Sequence, residues 1–223
     1  MRTEALAGIV LLLALAAAPV VAHAEEGEGQ KLLAADNDIR NRASLQRGAR
    51  NFMNYCSGCH SAQFVRYNRI AADLEIAPED LQPNLMFTSI KPADTIKSAL
   101  RPEDGRNWFG NAPPDLSLIA RARSSNYLYT YLKSFYADPT RPHGVNNLAL
   151  PGTAMPNVFA ELQATLPEDK FNEVVRDTVN FLQYIGEPIE VQRRDLGVWV
   201  LLFVGWFTVL AYLLYKNYWK DVH

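Results

Sequence analysis

Residues 56–60 read Cys56-Ser57-Gly58-Cys59-His60. A C-x-x-C-H run is the attachment pattern of a c-type haem, and the reason is geometric. Two cysteines three apart reach two vinyl groups of one porphyrin and add to them as thioethers. The next residue, His60, then lies under the iron and ligates it. Ser57 and Gly58 are small enough for the chain to pass close to the ring edge. Other uses of the thiols fit less well. A redox dithiol is expected beside a βαβ pattern, and none is visible. A zinc site needs four ligands, yet the chain has only these two cysteines, and its other histidines are His23, His143 and His223. A disulfide across two residues would be a poor structural staple.

Immediately upstream, Leu45, Ala49, Phe52, Met53 and Cys56 recur at helical spacing. That stripe predicts an amphipathic helix delivering the cysteines to the ring. The second axial position calls for a methionine or a histidine. Met53 is too near the motif to reach the opposite face of the ring. Met155 lies in Pro151-Gly152-Thr153-Ala154-Met155-Pro156, a stiff segment with neither helical nor strand period. Methionine ligation favours ferrous iron and raises the potential. Met155 is therefore preferred over Met86, which sits in an apolar run that reads as core, and over His143, a loop histidine.

Further along, Asn111-Ala112-Pro113-Pro114-Asp115-Leu116-Ser117 predicts extended chain, with Asp115 capping a helix that starts near Leu116. A helix is expected over about 125–136, with Tyr127, Leu128, Tyr131, Leu132 and Phe135 on one face. Arg121 and Arg123 lie between these elements, where a guanidinium can pair with a haem propionate or remain a solvated charge. Thr165-x-x-Glu168 reads as a capping box opening a helix with Phe171, Val174, Val175, Thr178, Val179, Leu182 and Ile185 buried. Gly186 and Pro188 end it, and residues 186–194 form a connection.

The chain ends differ from this middle. Arg2 is followed by an almost wholly apolar stretch over 5–22 and then Ala22-His23-Ala24, the form of a cleaved export signal over 1–24. Near the other end, residues 197–215 carry no charged side chain. Such a helix of 19 residues spans about 28 Å, close to the hydrocarbon thickness, with Trp199, Trp206, Tyr212, Tyr215, Tyr218 and Trp219 along and beyond it. The domain plan is a signal over 1–24, an exported haem domain over 25–194, a transmembrane helix over 195–216 and a tail over 217–223. Arg193 and Arg194 on one side balance Lys216 and Lys220 on the other, so the positive-inside rule is a tie. Export of the N-terminal part breaks it and leaves the tail cytoplasmic. A formal net charge of −2 over 223 residues gives no basic footprint for nucleic acid. Asp73, Glu75, Glu79, Asp80, Glu103 and Asp104 are available to steer a basic partner, or are ordinary solvated charges.

Taken in this order, Cys56-Ser57-Gly58-Cys59-His60, the Ala112–Ser117 stretch with Ile119-Ala120-Arg121-Ala122-Arg123, Ala154-Met155-Pro156 and the single C-terminal anchor resemble the cytochrome c1 family. The resemblance spans nearly the whole mature chain, and the Pro-Pro-Asp-Leu-Ser stretch is its most specific part. It implies a mainly α, cytochrome c-like haem domain with long loops plus one C-terminal transmembrane helix. One covalent haem c would be held by Cys56 and Cys59, with His60 and Met155 as its iron ligands. Arg123 would meet a propionate, with Tyr127 near the same edge and Pro114 also at the cofactor. It further implies an electron-transfer subunit of the quinol–cytochrome c reductase (the bc1 complex), itself dimeric, partnered by cytochrome b. Electrons would come from the Rieske iron–sulfur protein and leave to a c-type cytochrome. The expected location is a bacterial-type cytoplasmic membrane with the haem domain on the periplasmic side. Three rivals remain: a free-standing membrane-tethered shuttle, a thiol–disulfide enzyme using Cys56 and Cys59, and a haem protein with two histidine ligands.

Overall fold

The computed structural model describes residues 31–221; the expected signal over 1–24 and the last residues of the tail lie outside them. Helix takes 56% of the described residues and strand 7%, so the fold is mainly α. The haem-motif region is set by a pair of helices. Helix α1 (Arg42–Asn51) starts at Asn41, whose side chain accepts from the Ser44 amide at 3.1 Å. Its buried face, Ser44, Leu45, Gly48 and Ala49, packs on a long helix near the C-terminal side of the domain, Glu168–Gly186. Gly48 makes that approach possible: a Cβ there would lie 2.0 Å from the carbonyl oxygen of Asp177. A buried polar clip sits beside it. Asp177 accepts from Ser44 Oγ at 2.6 Å and from Arg47 Nε at 2.6 Å, so its desolvated carboxylate is fully partnered. Phe52 and Phe181 extend the contact, with ring centroids 5.6 Å apart.

The stripe from Leu45 to Cys56 is buried as its spacing predicts, but it is not one α-helix. From Phe52 to Cys56 the chain widens into a π-turn, with the Ser57 amide reaching back to the Phe52 carbonyl at 2.9 Å. Strand β1 (Ala62–Arg66) follows and pairs antiparallel with β2 (Thr95–Ile96). Between them lie α2 (Tyr67–Leu74) and α3 (Pro78–Leu85), and α4 (Pro102–Phe109) comes after. Pro78 and Pro102 each open a helix at a position where the missing N–H costs nothing, with acidic residues in the first turn.

Three expected boundaries move. Helix α5 (Ile119–Arg123) begins after Leu118, without a side-chain cap. Asp115 instead accepts from the amides of Ser117 (2.8 Å) and Gln63 (3.0 Å), tying the proline stretch to β1. Helix α6 (Ser125–Lys133) is shorter than 125–136, because Phe135 has left it to start β3 (Phe135–Ala137), which forms a hairpin with β4 (Val145–Asn147). The capping box does not form. Thr165 is the last residue of α7 (Ala160–Thr165) and donates back to the Glu161 carbonyl at 2.8 Å. Helix α8 (Glu168–Gly186) then starts from Pro167 with no side-chain cap. Of its expected stripe, Phe171, Val175, Thr178, Val179, Leu182 and Ile185 are buried, and Val174 is half-buried.

After a short turn the chain enters α9 (Glu190–Tyr218), so most of the connection expected over 186–194 is already helical. Its base is held by the buried Glu190, which accepts from Gln183 at 3.2 Å and pairs with Arg194 at 2.6 Å. An 18-residue window of α9 has mean hydropathy 2.1, and none of it is buried among the described residues. By length and composition it is fit to cross a membrane.

Candidate functional site

One half-enclosed cavity of about 330 Å³ gathers the residues singled out in the sequence. Cys56, Cys59, His60, Pro114, Arg123, Tyr127 and Met155 all line it. The rest of its wall is predominantly apolar, including Phe109, Leu116, Ile119, Leu128, Leu132 and Leu182. Met53 and Met86 are buried in the core and His143 lies tilted against Phe109 at 5.3 Å, and none of the three lines the cavity.

The π-turn and the turn that follows it position the motif. The amides of Cys59 and His60 both return to the Cys56 carbonyl, at 3.1 and 2.8 Å, and Ser57 Oγ donates to the Met53 carbonyl at 2.8 Å. Cys56 is buried and Cys59 exposed, and the two are free thiols. Burial, and then the nearby Cys59, pushes the Cys56 thiol up to about 12. An activated dithiol needs the opposite, a depressed pKa.

His60 is oriented by the proline stretch. Its Nδ1 lies 2.8 Å from the Pro114 carbonyl oxygen. A carbonyl can only accept, so Nδ1 carries the proton and Nε2 keeps its lone pair. That is the tautomer a metal-ligating histidine needs, fixed by a partner outside the ligand set. Burial lowers the His60 pKa, against the smaller opposing pull of the Pro114 hydrogen bond and Asp115. The stretch is stitched along the chain beyond the motif. Leu116 donates its amide to the Ser61 carbonyl at 2.8 Å, and Phe64 donates its amide to Ser117 Oγ at 3.1 Å. Two prolines keep this segment extended, so it runs beside residues 60–64 like a strand.

Arg123 and Tyr127 stand at the rim. The guanidinium carbon of Arg123 lies 5.7 Å from the Tyr127 ring centre, and among the described residues it has no carboxylate partner. Arg121, by contrast, pairs with Glu187 at 3.5 Å and does not line the cavity. Ser124 joins α5 to α6 at φ 67° and ψ 152°, and its hydroxyl accepts from the Tyr127 amide at 3.2 Å. Of the acidic residues, Asp73, Glu75 and Asp104 are engaged by Arg69, Arg42 and Arg101.

The donor set matches a covalent haem. Two thiols, an imidazole with its Nε2 free and a thioether share a cavity whose wall is otherwise apolar, with one cation at its mouth. Sequence reading missed part of the frame around it. Tyr131, Thr153 and Asn147 were hidden because Tyr131 reads as one more apolar stripe residue and Asn147 carries no pattern at all.

The Cytochrome C1 family model matches residues 37–222. The chain is similar to cytochrome c1 of Allochromatium vinosum, 46% identical over 88% of this chain and 92% of that protein. It is also similar to a protein of Nitrosomonas europaea named ammonia monooxygenase gamma subunit, 41% identical over 96% of this chain and 97% of the other. A protein of Bradyrhizobium diazoefficiens named cytochrome b/c1 is 27% identical over 82% of this chain, which covers 34% of that longer protein.

Proposed function

The chain belongs to the cytochrome c1 family, and on that premise we propose that Cys56 and Cys59 would hold a single haem c as thioethers, with His60 and Met155 as the ligands to its iron. Family membership makes the chain a haem-carrying electron-transfer subunit of the bc1 complex, alongside cytochrome b. The observation that carries the residue assignment is the cavity itself. It is lined by both thiols, the Met155 thioether and an imidazole whose other nitrogen is committed to Pro114.

When bound, the haem supplies a one-electron couple. The residues set its conditions. His60 is held in the ligating tautomer by Pro114. The thioether of Met155 favours the reduced state, and the apolar wall limits water. Arg123 at the mouth would meet a propionate, with Tyr127 beside it. The electron comes from the Rieske iron–sulfur protein and leaves to a c-type cytochrome. No bond is made or broken by this chain. Helix α9 is a single membrane span, the haem domain lies on the periplasmic side and the tail is cytoplasmic.

The test is the optical spectrum of the purified full chain, oxidised and reduced, with a pyridine haemochrome assay after acid–acetone extraction. Haem that resists extraction, a c-type haemochrome and the weak near-infrared band of methionine-ligated ferric iron are expected. Met155→Ala should abolish that band and keep the haem attached. A colourless protein, or freely extracted haem, would return Cys56 and Cys59 to the dithiol reading. The Nitrosomonas relative, similar over nearly the whole chain, carries the name of a different assembly. Purification in mild detergent separates the readings: cytochrome b and a Rieske protein should co-purify, a tethered shuttle would travel alone, and a monooxygenase subunit would bring other proteins.

A further inference from the structure

Met155 lies in a segment with little backbone support. Between Asn147 at the end of β4 and Ala160 at the start of α7 there is neither helix nor strand. Pro151 and Pro156 contribute no amide donors. A thioether is a weak, neutral ligand, so the position of its backbone decides whether it stays in place.

Side chains from α6 and the hairpin do that holding. Tyr131 of α6 lines the cavity, and its hydroxyl lies 2.8 Å from Thr153 Oγ1. Thr153 is buried, and the same oxygen accepts from the Met155 amide at 3.4 Å. At the other end of the loop, the fully buried Asn147 donates to the Tyr131 carbonyl at 2.7 Å and accepts from the Ala149 amide at 2.8 Å. The Tyr131 ring is fixed independently, stacked on Tyr127 at 6.2 Å and edge-on to Phe135 at 5.2 Å. Its hydroxyl is therefore a rigid post, and Thr153 links it to the backbone of Met155.

We infer that the Tyr131 hydroxyl, through Thr153 Oγ1, latches the Met155 segment to α6 and so holds the thioether against exchange, making Tyr131 a positioning residue for the sixth ligand. The inference rests on Met155 being that ligand. Packing alone does not account for the arrangement, since a phenylalanine at 131 would keep both ring contacts and lose only the bond to Thr153.

The experiment uses the purified full chain with its haem, in the ferric form. Imidazole is titrated in, and loss of the near-infrared methionine band reports displacement of the ligand. One hydrogen bond of this kind sets the expected size: Tyr131→Phe should release the methionine at about three- to tenfold less imidazole, with the haem still covalently bound. Thr153→Val should behave alike, Thr153→Ser should restore the wild-type midpoint, and the double variant should be no worse than either single one. Wild-type midpoints in both Tyr131→Phe and Thr153→Val would overturn the latch while leaving Met155 as the ligand. A wild-type protein without the methionine band, or a Met155→Ala variant that keeps it, would overturn the ligand assignment and the latch together.

Discussion

His60 shows how one residue's role is divided between sequence and fold. Its place after two cysteines is enough to read it as a ligand, but which nitrogen is available depends on Pro114, far along the chain and 2.8 Å away in space. Arg123 is the complementary case. The sequence leaves it undecided between a propionate partner and a solvated charge; the fold puts it on the cavity and over Tyr127, while Arg121 two residues earlier turns to Glu187. A cation near the haem stabilises the reduced, less positive state, so Arg123→Gln should lower the midpoint potential. Arg123 is exposed and its field screened, so an interaction of about 0.2–1 kcal/mol is appropriate. At about 59 mV per tenfold for one electron, that is roughly 10–40 mV. Potentiometric titration checks it, with Arg121→Gln as the control expected to stay at the wild-type value. Equal potentials in all three proteins would make Arg123 an ordinary surface charge.

Among the elements, the junction of α5 and α6 bears a local cost. Ser124 at φ 67° and ψ 152° occupies a region that is nearly glycine's alone, worth about 1–3 kcal/mol of strain. Its hydroxyl returns part of that by capping α6 through the Tyr127 amide. The two terms predict opposite signs for two small substitutions. Ser124→Gly relieves the strain and loses only a few tenths of a kcal/mol of cap, so it should stabilise the domain by about 1 kcal/mol. Ser124→Ala keeps the strain and loses the cap, so it should destabilise by about 1 kcal/mol. Denaturant unfolding of the two variants measures both. The long elements were readable because burial is periodic: the stripe of α8 and the unbroken apolar run of α9 announce themselves. Short-range signals were less faithful. Thr165 has the right spacing from Glu168 for a cap, but α7 had already claimed its hydroxyl. Asp115 has the right chemistry for a cap, but its carboxylate accepts instead from the amide of Ser117 and from that of Gln63 in β1. The latch of Tyr131, Thr153 and Asn147 has no period, because its partners lie 16 and 22 residues apart and meet through single hydrogen bonds.

At the scale of the whole molecule, the haem domain has two parts of different origin. Helices α1 and α8 close on each other through Gly48, the Asp177 clip and the Phe52–Phe181 contact, none of which lines the cavity. The proline stretch, the inner face of α6 and the Met155 segment converge instead on a space of about 330 Å³. That space is half open to solvent and its wall is predominantly apolar, so without an occupant it leaves apolar surface against water. The second part shares one core with the helix pair but also carries the open apolar wall, so it is expected to depend on its cofactor more than the helix pair does. A Cys56→Ala, Cys59→Ala variant, unable to retain haem covalently, should show this as an uneven loss of order. Amide hydrogen exchange should rise strongly over residues 111–123 and 148–158, while α1 and the middle of α8 keep most of their protection. Uniform exchange along the chain would mean that the haem nucleates the entire domain and that the helix pair has no independent stability. Unchanged exchange over 148–158 would mean that the hydrogen bonds of Asn147 and Thr153 suffice to hold the segment before the iron is there to be bound.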